Sequence, residues 1–239
     1  MRIATYNVHD CVGRDGRFDP SRIAAVLAEL DADLIALQEV TLDHAGDLIG
    51  QFEAATGMQA HDGSLFDRGV GRYGNVALTR YPVVASRLHD LAYPGREPRG
   101  LLELQLLAGD SPFRVGVTHL GLNPRERRHQ LRQVVGMFDG EAGGAVLLGD
   151  FNVWWPTRAP AGLTVRGFTG NPVRSFPSWP VPVVALDRVF ARAPLRIRRS
   201  WRHVSPVARI ASDHYPVVAD IDLSELLIKH HKYLNKNEL

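Results

Sequence analysis

The chain has 239 residues, of which 45% are hydrophobic, and a formal net charge of +2. That length allows one large core, in one large domain or two small ones. The weak charge gives no strong electrostatic argument for a nucleic-acid partner, and the single Cys11 excludes an internal disulfide framework or an all-thiolate metal site. There is no bilayer-spanning apolar stretch and no N-terminal signal region, so we expect a soluble, cytoplasmic protein.

The N-terminal segment predicts a strand, a helix and a second strand. Residues 2–8 read as a short strand, and Asp19-Pro20 marks a helix start with Asp as N-cap and Pro as the first helical residue. A second strand spans residues 33–38, with residues 34–37 apolar throughout, and ends at Glu39. Because such a unit has parallel strands, we expect Asn7 and Glu39 at the same carboxyl edge of one sheet, where α/β sites form.

The middle of the chain predicts mainly antiparallel strands. Residues 42–55 predict a second helix, and the Gly- and Asp-rich residues 61–74 predict a mobile loop. The next four apolar runs, separated by turn signals, favour an antiparallel meander; they cover residues 75–79, 83–91, 101–107 and 113–118. The last run leads into His119. A helix over residues 124–138 carries arginines that we interpret as a solvated face.

A buried strand over residues 145–148 precedes Gly149-Asp150-Phe151-Asn152. In extended chain, residues i and i+2 point the same way, so Asp150 and Asn152 leave the strand end side by side. A carboxylate there can take a proton or a metal, and a neighbouring amide can orient a substrate oxygen. In isolation, an Asx turn that closes the strand explains the pattern as well.

The last third predicts a long loop and three strands. Residues 154–182 are rich in Pro, Trp and Gly and predict a functional loop over a site. The strands follow at residues 184–190, which include Asp187, at 195–204, and at 215–221 after Asp213-His214. All three lysines lie in the last eleven positions. We therefore interpret residues 1–223 as one domain and residues 224–239 as a peripheral tail, disordered or foreign to the native sequence.

Acceptor residues thus end most of the predicted strands: Asn7, Glu39, His119, Asp150 with Asn152, Asp187, and Asp213 with His214. Each alone has a purely structural interpretation, as a turn residue, a helix cap, a core histidine or a partner of Arg188. Together they form a ring of oxygen and imidazole ligands. Carboxylates gathered in this way repel one another and need a cation, for which oxygen ligands favour magnesium or manganese.

Seven short motifs occur in the order seen in the endonuclease/exonuclease/phosphatase superfamily, which the chain resembles from residue 1 to about 223. They are Thr5-Tyr6-Asn7-Val8-His9, Leu37-Gln38-Glu39-Val40, Gly74-Asn75, Thr118-His119-Leu120, Gly149-Asp150-Phe151-Asn152, Leu186-Asp187 and Ser212-Asp213-His214. The resemblance implies a four-layered α/β sandwich, with two mixed β-sheets packed face to face and helices on the outer faces.

The resemblance also implies roles for the site residues. Glu39 is the expected principal Mg²⁺ ligand, assisted by Asn7 and Asp213, and Mn²⁺ can substitute. The catalytic residues are expected to be His214 oriented by Asp187, Asp150 on the attacking water, Asn152 on a phosphate oxygen or that water, and His119 as a second histidine that faces the phosphate. A histidine at 119 matches the deoxyribonucleases and sphingomyelinases rather than the abasic endonucleases.

The resemblance implies that substrate choice depends on loops, which here are expected over residues 62–72, 93–99 and 154–179. From these loops and the Gly74-Asn75 motif we expect substrate contacts from Asn75, Arg99, Trp154 and Trp155, with a surface ion pair or packing under a loop as the structural alternatives. The leading hypothesis is a monomeric magnesium-dependent phosphodiesterase of small or lipid-like substrates, without a stable protein partner. A DNA endonuclease or exonuclease of the repair type and a catalytically silent binding member are the alternatives.

Overall fold

The computed structural model describes residues 1–44, 46–138, 143–154 and 160–228. Its strands in this part of the chain are β1 (Arg2–Asn7), β2 (Leu34–Thr41), β3 (Gln59–Asp67), β4 (Arg72–Thr79), β5 (Val83–Asp90), β6 (Gly100–Ala108), β7 (Ser111–His119), β8 (Ala145–Asp150), β9 (Phe168–Thr169), β10 (Asp187–Arg192), β11 (Arg196–Arg202) and β12 (Val217–Asp222). The helices are α1 (Pro20–Leu30), α2 (Leu48–Thr56), α3 (Pro124–Met137), α4 (Ala161–Val165) and α5 (Ala208–Ala211), with one 3₁₀ turn at His9–Cys11.

The strands form two six-stranded mixed sheets. The first has the order β11-β12-β1-β2-β4-β3, and the second the order β5-β6-β7-β8-β10-β9. The predicted unit at the N-terminus is confirmed, because β1 and β2 are parallel neighbours and Asn7 lies opposite Gln38. Asp19 caps α1 by accepting the Ser21 N–H, as its position before Pro20 predicted.

Three apolar clusters hold the layers together, which gives the predicted sandwich. One packs α1 and α2 on the outer face of the first sheet, where Ile23 and Leu27 meet the β2 residue Leu37. The central cluster joins the inner faces of the two sheets. The third packs α3 and α4 on the outer face of the second sheet. Successive residues from Leu34 to Leu37 of β2 belong to different clusters, which explains why this part of the strand is apolar throughout.

Two further pairings bring distant strand ends together. Strand β7 runs parallel to β8, which places His119 opposite Asp150. Strand β8 is antiparallel to β10, which places Asp150 opposite Asp187. Strand β1 of the first sheet also packs against β8 and β10 of the second sheet. The acceptor side chains at the ends of these strands therefore lie on the same side of the molecule.

Two sequence-based predictions of secondary structure are wrong, and a third is incomplete, because the loop predicted over residues 154–182 contains the short helix α4 and the short strand β9. Residues 61–74 are not a loop, since β3 and the start of β4 occupy most of them. Strand β3 is an edge strand with partly exposed residues, so the alternation of apolar and polar residues that marks a half-buried strand is missing. The four-strand meander is also wrong, because β4 pairs with β2 and β3 in the first sheet and only β5, β6 and β7 form a meander.

The beginning of the expected tail packs on the domain. Residues 224–228 are helical, and Leu226 is buried in the central cluster between the sheets. Residues 229–239 lie outside the described part of the chain, as does Trp155. Among the described residues, no helix has the length and apolarity needed to cross a membrane.

Candidate active site

Glu39 lies in a β-bulge and not, as expected, at a strand end. Between the pairs Leu37–Val76 and Val40–Gly74, the register of β2 against β4 shifts by one residue. Glu39 has a φ of 58°, a left-handed conformation that is costly for a residue with a side chain. Bulges next to active sites commonly redirect one side chain. Here the bulge accompanies a Glu39 carboxylate that contacts the neighbouring strand β1.

The Asn7 amide joins carboxylates from both sheets. Its Nδ2 donates to Glu39 Oε1 at 2.8 Å and to Asp150 Oδ2 at 3.2 Å. Its Oδ1 accepts the backbone N–H of His9 at 3.0 Å, which fixes the amide orientation. In this arrangement the Asn7 Nδ2 group donates to both carboxylates. The Asn7 Oδ1 atom can ligate a metal only after the amide group rotates.

His119 and Asn152 lie against the same group of carboxylates. The Asn152 amide nitrogen donates to the Leu120 carbonyl at 2.8 Å and lies 3.2 Å from His119 Nε2, so this ring nitrogen accepts. His119 Nε2 is also 3.6 Å from Asp150 Oδ2 and 3.9 Å from Glu39 Oε1. Asn152 has a φ of 50° just after β8, and its N–H donates to Asp150 Oδ1 at 2.8 Å, as in an Asx turn.

The predicted pair of His214 and Asp187 is present. His214 Nδ1 lies 2.8 Å from Asp187 Oδ2, and both side chains are buried. A carboxylate oxygen accepts, so Nδ1 carries the proton and Nε2 faces away from Asp187. The same Asp187 oxygen accepts the Ser175 hydroxyl at 2.5 Å. One carboxylate thus fixes the imidazole and is itself held by a buried serine.

The electrostatics of this group follow from burial and close charges. Burial, together with the nearby Asp187 carboxylate, raises the pKa of Asp150 well above its usual range. Burial also lowers the pKa of His119 well below its ordinary value, with smaller effects of Arg99, His214 and Arg68 in the same direction. In contrast, burial of His214 is outweighed by Asp187 and further carboxylates, which raise the pKa of its imidazole to about 10.

A short hairpin-like segment packs beside the His214 ring. The Phe176 ring is 4.8 Å from the His214 ring, and the half-exposed Trp154 is 6.0 Å from Phe176. Backbone hydrogen bonds between Phe176 and Val184 close the segment. Ser178 ties it to the connection between α5 and β12, since its N–H donates to the Asp213 carbonyl at 2.7 Å.

Trp179, at the tip of this hairpin-like segment, is 49% exposed and contacts two arginines. The guanidinium carbons of Arg14 and Arg209 lie 5.5 and 5.7 Å from the Trp179 ring centroid. An exposed indole framed by arginines therefore lies beside the segment that carries Asp213 and His214.

Not all predicted site residues converge in the same way. Asp213 approaches His214 Nε2 with its Oδ1 at 3.9 Å and accepts the Ser212 hydroxyl at 3.4 Å. Asn75 is buried in β4, and its Nδ2 lies 3.5 Å from the Gly100 carbonyl oxygen. Arg99 is buried next to Gly100 and pairs with Glu97. The substrate contacts expected of Asn75 and Arg99 stay predictions.

Sequence reasoning missed Ser175 and Ser212. The Ser212 hydroxyl donates to the Asn7 carbonyl at 2.8 Å and accepts the His214 N–H at 3.1 Å, so it joins the β1 end to the segment before β12. Ser212 belongs to the motif Ser212-Asp213-His214, and its place in that motif was the only sequence signal that marked it. Ser175 lies in a segment without periodicity, where no local pattern marks one serine among several.

The donor set fits a hard divalent cation. The Glu39 and Asp150 carboxylates contact the same Asn7 amide, and one atom each of Asp150, Asp187 and His214 lies within 4.8 Å of the others. Because His214 Nδ1 is already bonded to Asp187, we interpret these two residues as a positioning pair. On the other side of the site, the Glu39 and Asp150 carboxylates beside Asn7 are oxygen donors that suit Mg²⁺ or Mn²⁺.

Comparison with known proteins decides the family. A sequence model described as the Endonuclease/Exonuclease/phosphatase family matches residues 4–214. This chain belongs to that family. The family comprises metal-dependent phosphoesterases and nucleases, whose members hydrolyse phosphoester bonds.

Individual proteins are similar to this chain over most of their length. The uncharacterized protein YbhP of Escherichia coli K12 is 29% identical over 255 aligned positions, which cover 93% of this chain and 96% of YbhP. A crystal structure of an endonuclease/exonuclease/phosphatase from Beutenbergia cavernae has 26% identity and a TM-score of 0.72, and the match covers 92% of this chain and 71% of that one. A mannosyl-6-phosphatase of Bacteroides thetaiotaomicron shares the fold, with 16% identity, a TM-score of 0.71 and coverage of 93% and 99%.

Proposed function

We propose that this member of the family is a magnesium-dependent phosphodiesterase that acts on small or lipid-like substrates. The observation that carries the proposal is the hydrogen bond between His214 and Asp187 within 4.8 Å of the Asp150 carboxylate. A nucleophile-activating carboxylate and an oriented imidazole in one buried group are the parts that phosphoester hydrolysis by water needs. A catalytically silent descendant has no need to keep both.

The residues of the chain divide the reaction between them. Asp150 orients the attacking water and accepts its proton, and Asn152 holds that water or a phosphate oxygen. His214, held in one tautomer by Asp187, presents Nε2 to the phosphate and stabilises its developing negative charge. His119 faces the phosphate beside Asn152. To protonate a leaving oxygen, its Nε2 must first take up a proton, because that atom accepts in the described arrangement.

The proposed cation site uses Glu39 as the principal ligand, with Asn7 and Asp213 as further ligands after reorientation. A bound Mg²⁺ or Mn²⁺ neutralises charge on the phosphate oxygens. Support comes from the 2.8 Å contact of Asn7 Nδ2 with Glu39 Oε1, in which an N–H now offsets the carboxylate charge. The bulge at Glu39 is consistent with a backbone that is strained to place one ligand.

A nuclease is the second candidate, and the surroundings of Trp179 favour it. A half-exposed indole with two arginine side chains near it is suited to stack on a base and contact a phosphate. Trp154, also half exposed, lies on the same side as Phe176 and His214. The same side chains suit a lipid headgroup, so substrate assays must separate the two.

The test is hydrolysis of bis-p-nitrophenyl phosphate with magnesium and after chelation, together with nicking of supercoiled plasmid. We expect magnesium-dependent release of p-nitrophenol that His214→Ala reduces by roughly 10²-fold or more. His203→Ala is a matched control, because His203 forms a surface pair with Glu29 at 2.7 Å and should leave turnover unchanged. Plasmid nicking at a comparable rate would assign the nuclease function, and no metal-dependent activity on either substrate would contradict the proposal.

A further inference from the structure

We propose that Arg68 and Arg99 form a second anion subsite beside the catalytic group, and that the substrate is a phosphodiester whose organic part carries an additional phosphate monoester. This inference rests on the proposed phosphodiesterase function, since it names the substrate class for that same site.

The two guanidinium groups converge on one carboxylate. Arg99 Nη1 donates to Glu97 Oε1 at 2.5 Å, and Arg68 Nη2 donates to Glu97 Oε2 at 3.4 Å. Glu97 is 40% exposed and belongs to the loop between β5 and β6. Arg68 also approaches Asp10 at 3.9 Å, a distance at which the pair is weak and partly solvated. An anion that enters from solvent can therefore displace the exposed Glu97 carboxylate from both arginines.

Arg99 has hydrogen-bonding capacity that the described residues leave unused. Its side chain is only 9% exposed, yet its Nε–H is buried and has no partner in the described part of the chain. A buried donor without an acceptor costs about 1–3 kcal/mol. An arginine fork binds phosphate through two parallel N–H groups, and Nε is one of the five donors of the fork. A phosphate that replaces Glu97 binds Arg99 at Nη1. The Nε–H points to the other edge of the guanidinium, where it forms a fork with Nη2, and a further oxygen of the ligand at that edge would satisfy it.

The subsite lies on the His119 side of the catalytic group. Arg99 precedes β6, and the pairing of Leu101 with Thr118 places it beside the end of β7, where His119 stands. The neighbouring Gly100 carbonyl accepts the Thr118 hydroxyl at 3.0 Å, which fixes this backbone. Both arginines are close enough to His119 to affect its ionisation.

Tyr73 fixes the second arginine. The guanidinium carbon of Arg68 lies 3.3 Å from the centroid of the Tyr73 ring, a stacked arrangement that restricts its rotation. Tyr73 pairs with Thr41, two residues beyond the Glu39 bulge. Arg68 is therefore placed by the strand pair that also carries the proposed metal ligand. Two restrained guanidinium groups suit a phosphate monoester, which carries nearly two negative charges at neutral pH.

The experiment compares two esters that differ only in the second phosphate. The probes are the p-nitrophenyl ester of thymidine 5′-phosphate and the same ester with a 3′-phosphate. We expect the wild-type protein to prefer the second ester in kcat/KM, and Arg99→Gln and Arg68→Gln each to reduce that preference by about tenfold or more, the size of a lost charged hydrogen bond. Arg87→Gln, at an exposed arginine on β5, is the matched control and should leave the preference unchanged.

A binding measurement separates this inference from the proposed function. With metal chelated, calorimetric titration should show thymidine 3′,5′-bisphosphate binding at least about tenfold more tightly than thymidine 5′-phosphate, with the difference lost in both variants. If neither ester is hydrolysed but this binding difference remains, the proposed function fails and the subsite stands. The inference is wrong if the wild-type protein shows no preference between the esters. It is also wrong if the variants lose kcat/KM equally on both esters while their melting temperatures stay at the wild-type value. In those cases the arginines bind the scissile phosphate or only support the fold.

Discussion

His214 and Asp187 share a buried hydrogen bond of 2.8 Å between Nδ1 and Oδ2, although they stand 27 positions apart in the sequence. The charge of Asp187 and its hydrogen bond raise the pKa of His214 against the opposing effect of burial. The pair thus supplies an oriented, positively charged imidazole at the group that also contains Asp150.

We predict that His214→Ala lowers turnover by roughly 10²- to 10⁴-fold, the range for a group that acts in the transition state. Asp187→Asn should cost less, because the imidazole remains and only its charge and orientation are impaired. The two losses should not add in the double mutant, since both residues act through one imidazole. Turnover of the three variants decides this, and strict additivity of the losses would show that Asp187 does not act through His214.

Ser175 should act as a positioning residue for this pair. Its buried hydroxyl donates to the Asp187 oxygen that also binds His214. We predict that Ser175→Ala lowers kcat by about 3- to 10-fold, the size of one hydrogen bond, and changes KM little. Ser175→Thr keeps the hydroxyl and should recover part of the loss. An equal loss for alanine and threonine would indicate a packing effect in this fully buried position.

Glu39→Gln keeps the shape of the side chain and removes its charge. We predict that it lowers turnover by about two orders of magnitude or more and raises the magnesium concentration needed for half-maximal rate, because a carboxylate ligand is lost. The melting temperature should stay near that of the wild type. Glu29→Gln, which removes a surface carboxylate paired with His203, is the control. Unchanged activity of Glu39→Gln at low magnesium would withdraw the ligand assignment.

Gly149→Ala should destabilise the domain strongly. Gly149 has a φ of 147°, and an added Cβ would lie 1.8 Å from the Thr118 carbonyl oxygen in the neighbouring strand. We expect a loss of about 3 kcal/mol or more in the free energy of unfolding, measured by urea titration. Gly136→Ala in α3 is the matched control, because its Cβ would meet no atom within 4 Å and alanine favours a helix. Equal stability of the two variants would refute this.

The sequence by itself determined the strands that carry the site and most of its side chains. Buried strands are short apolar runs, and a polar residue directly after such a run is visible in a single local pattern. Asn7, Asp150 and His119 were found in this way, and the parallel pairing of β1 with β2 followed from the connection through a helix. Glu39 was singled out by the same pattern, although it lies in a bulge within β2 and not at the strand end.

Only the tertiary structure decided how these groups meet. The bulge that contains Glu39 depends on the register of β2 against β4, which no local pattern encodes. Asn7 and Asp150 make contact across 143 positions because the two sheets pack face to face. Ser175 reaches Asp187 from a segment without periodicity, and β3 pairs as an edge strand despite its polar sequence. The physical reason is that hydrophobic patterning records which side of one element is buried, whereas the contacts between polar side chains depend on how different elements are packed together.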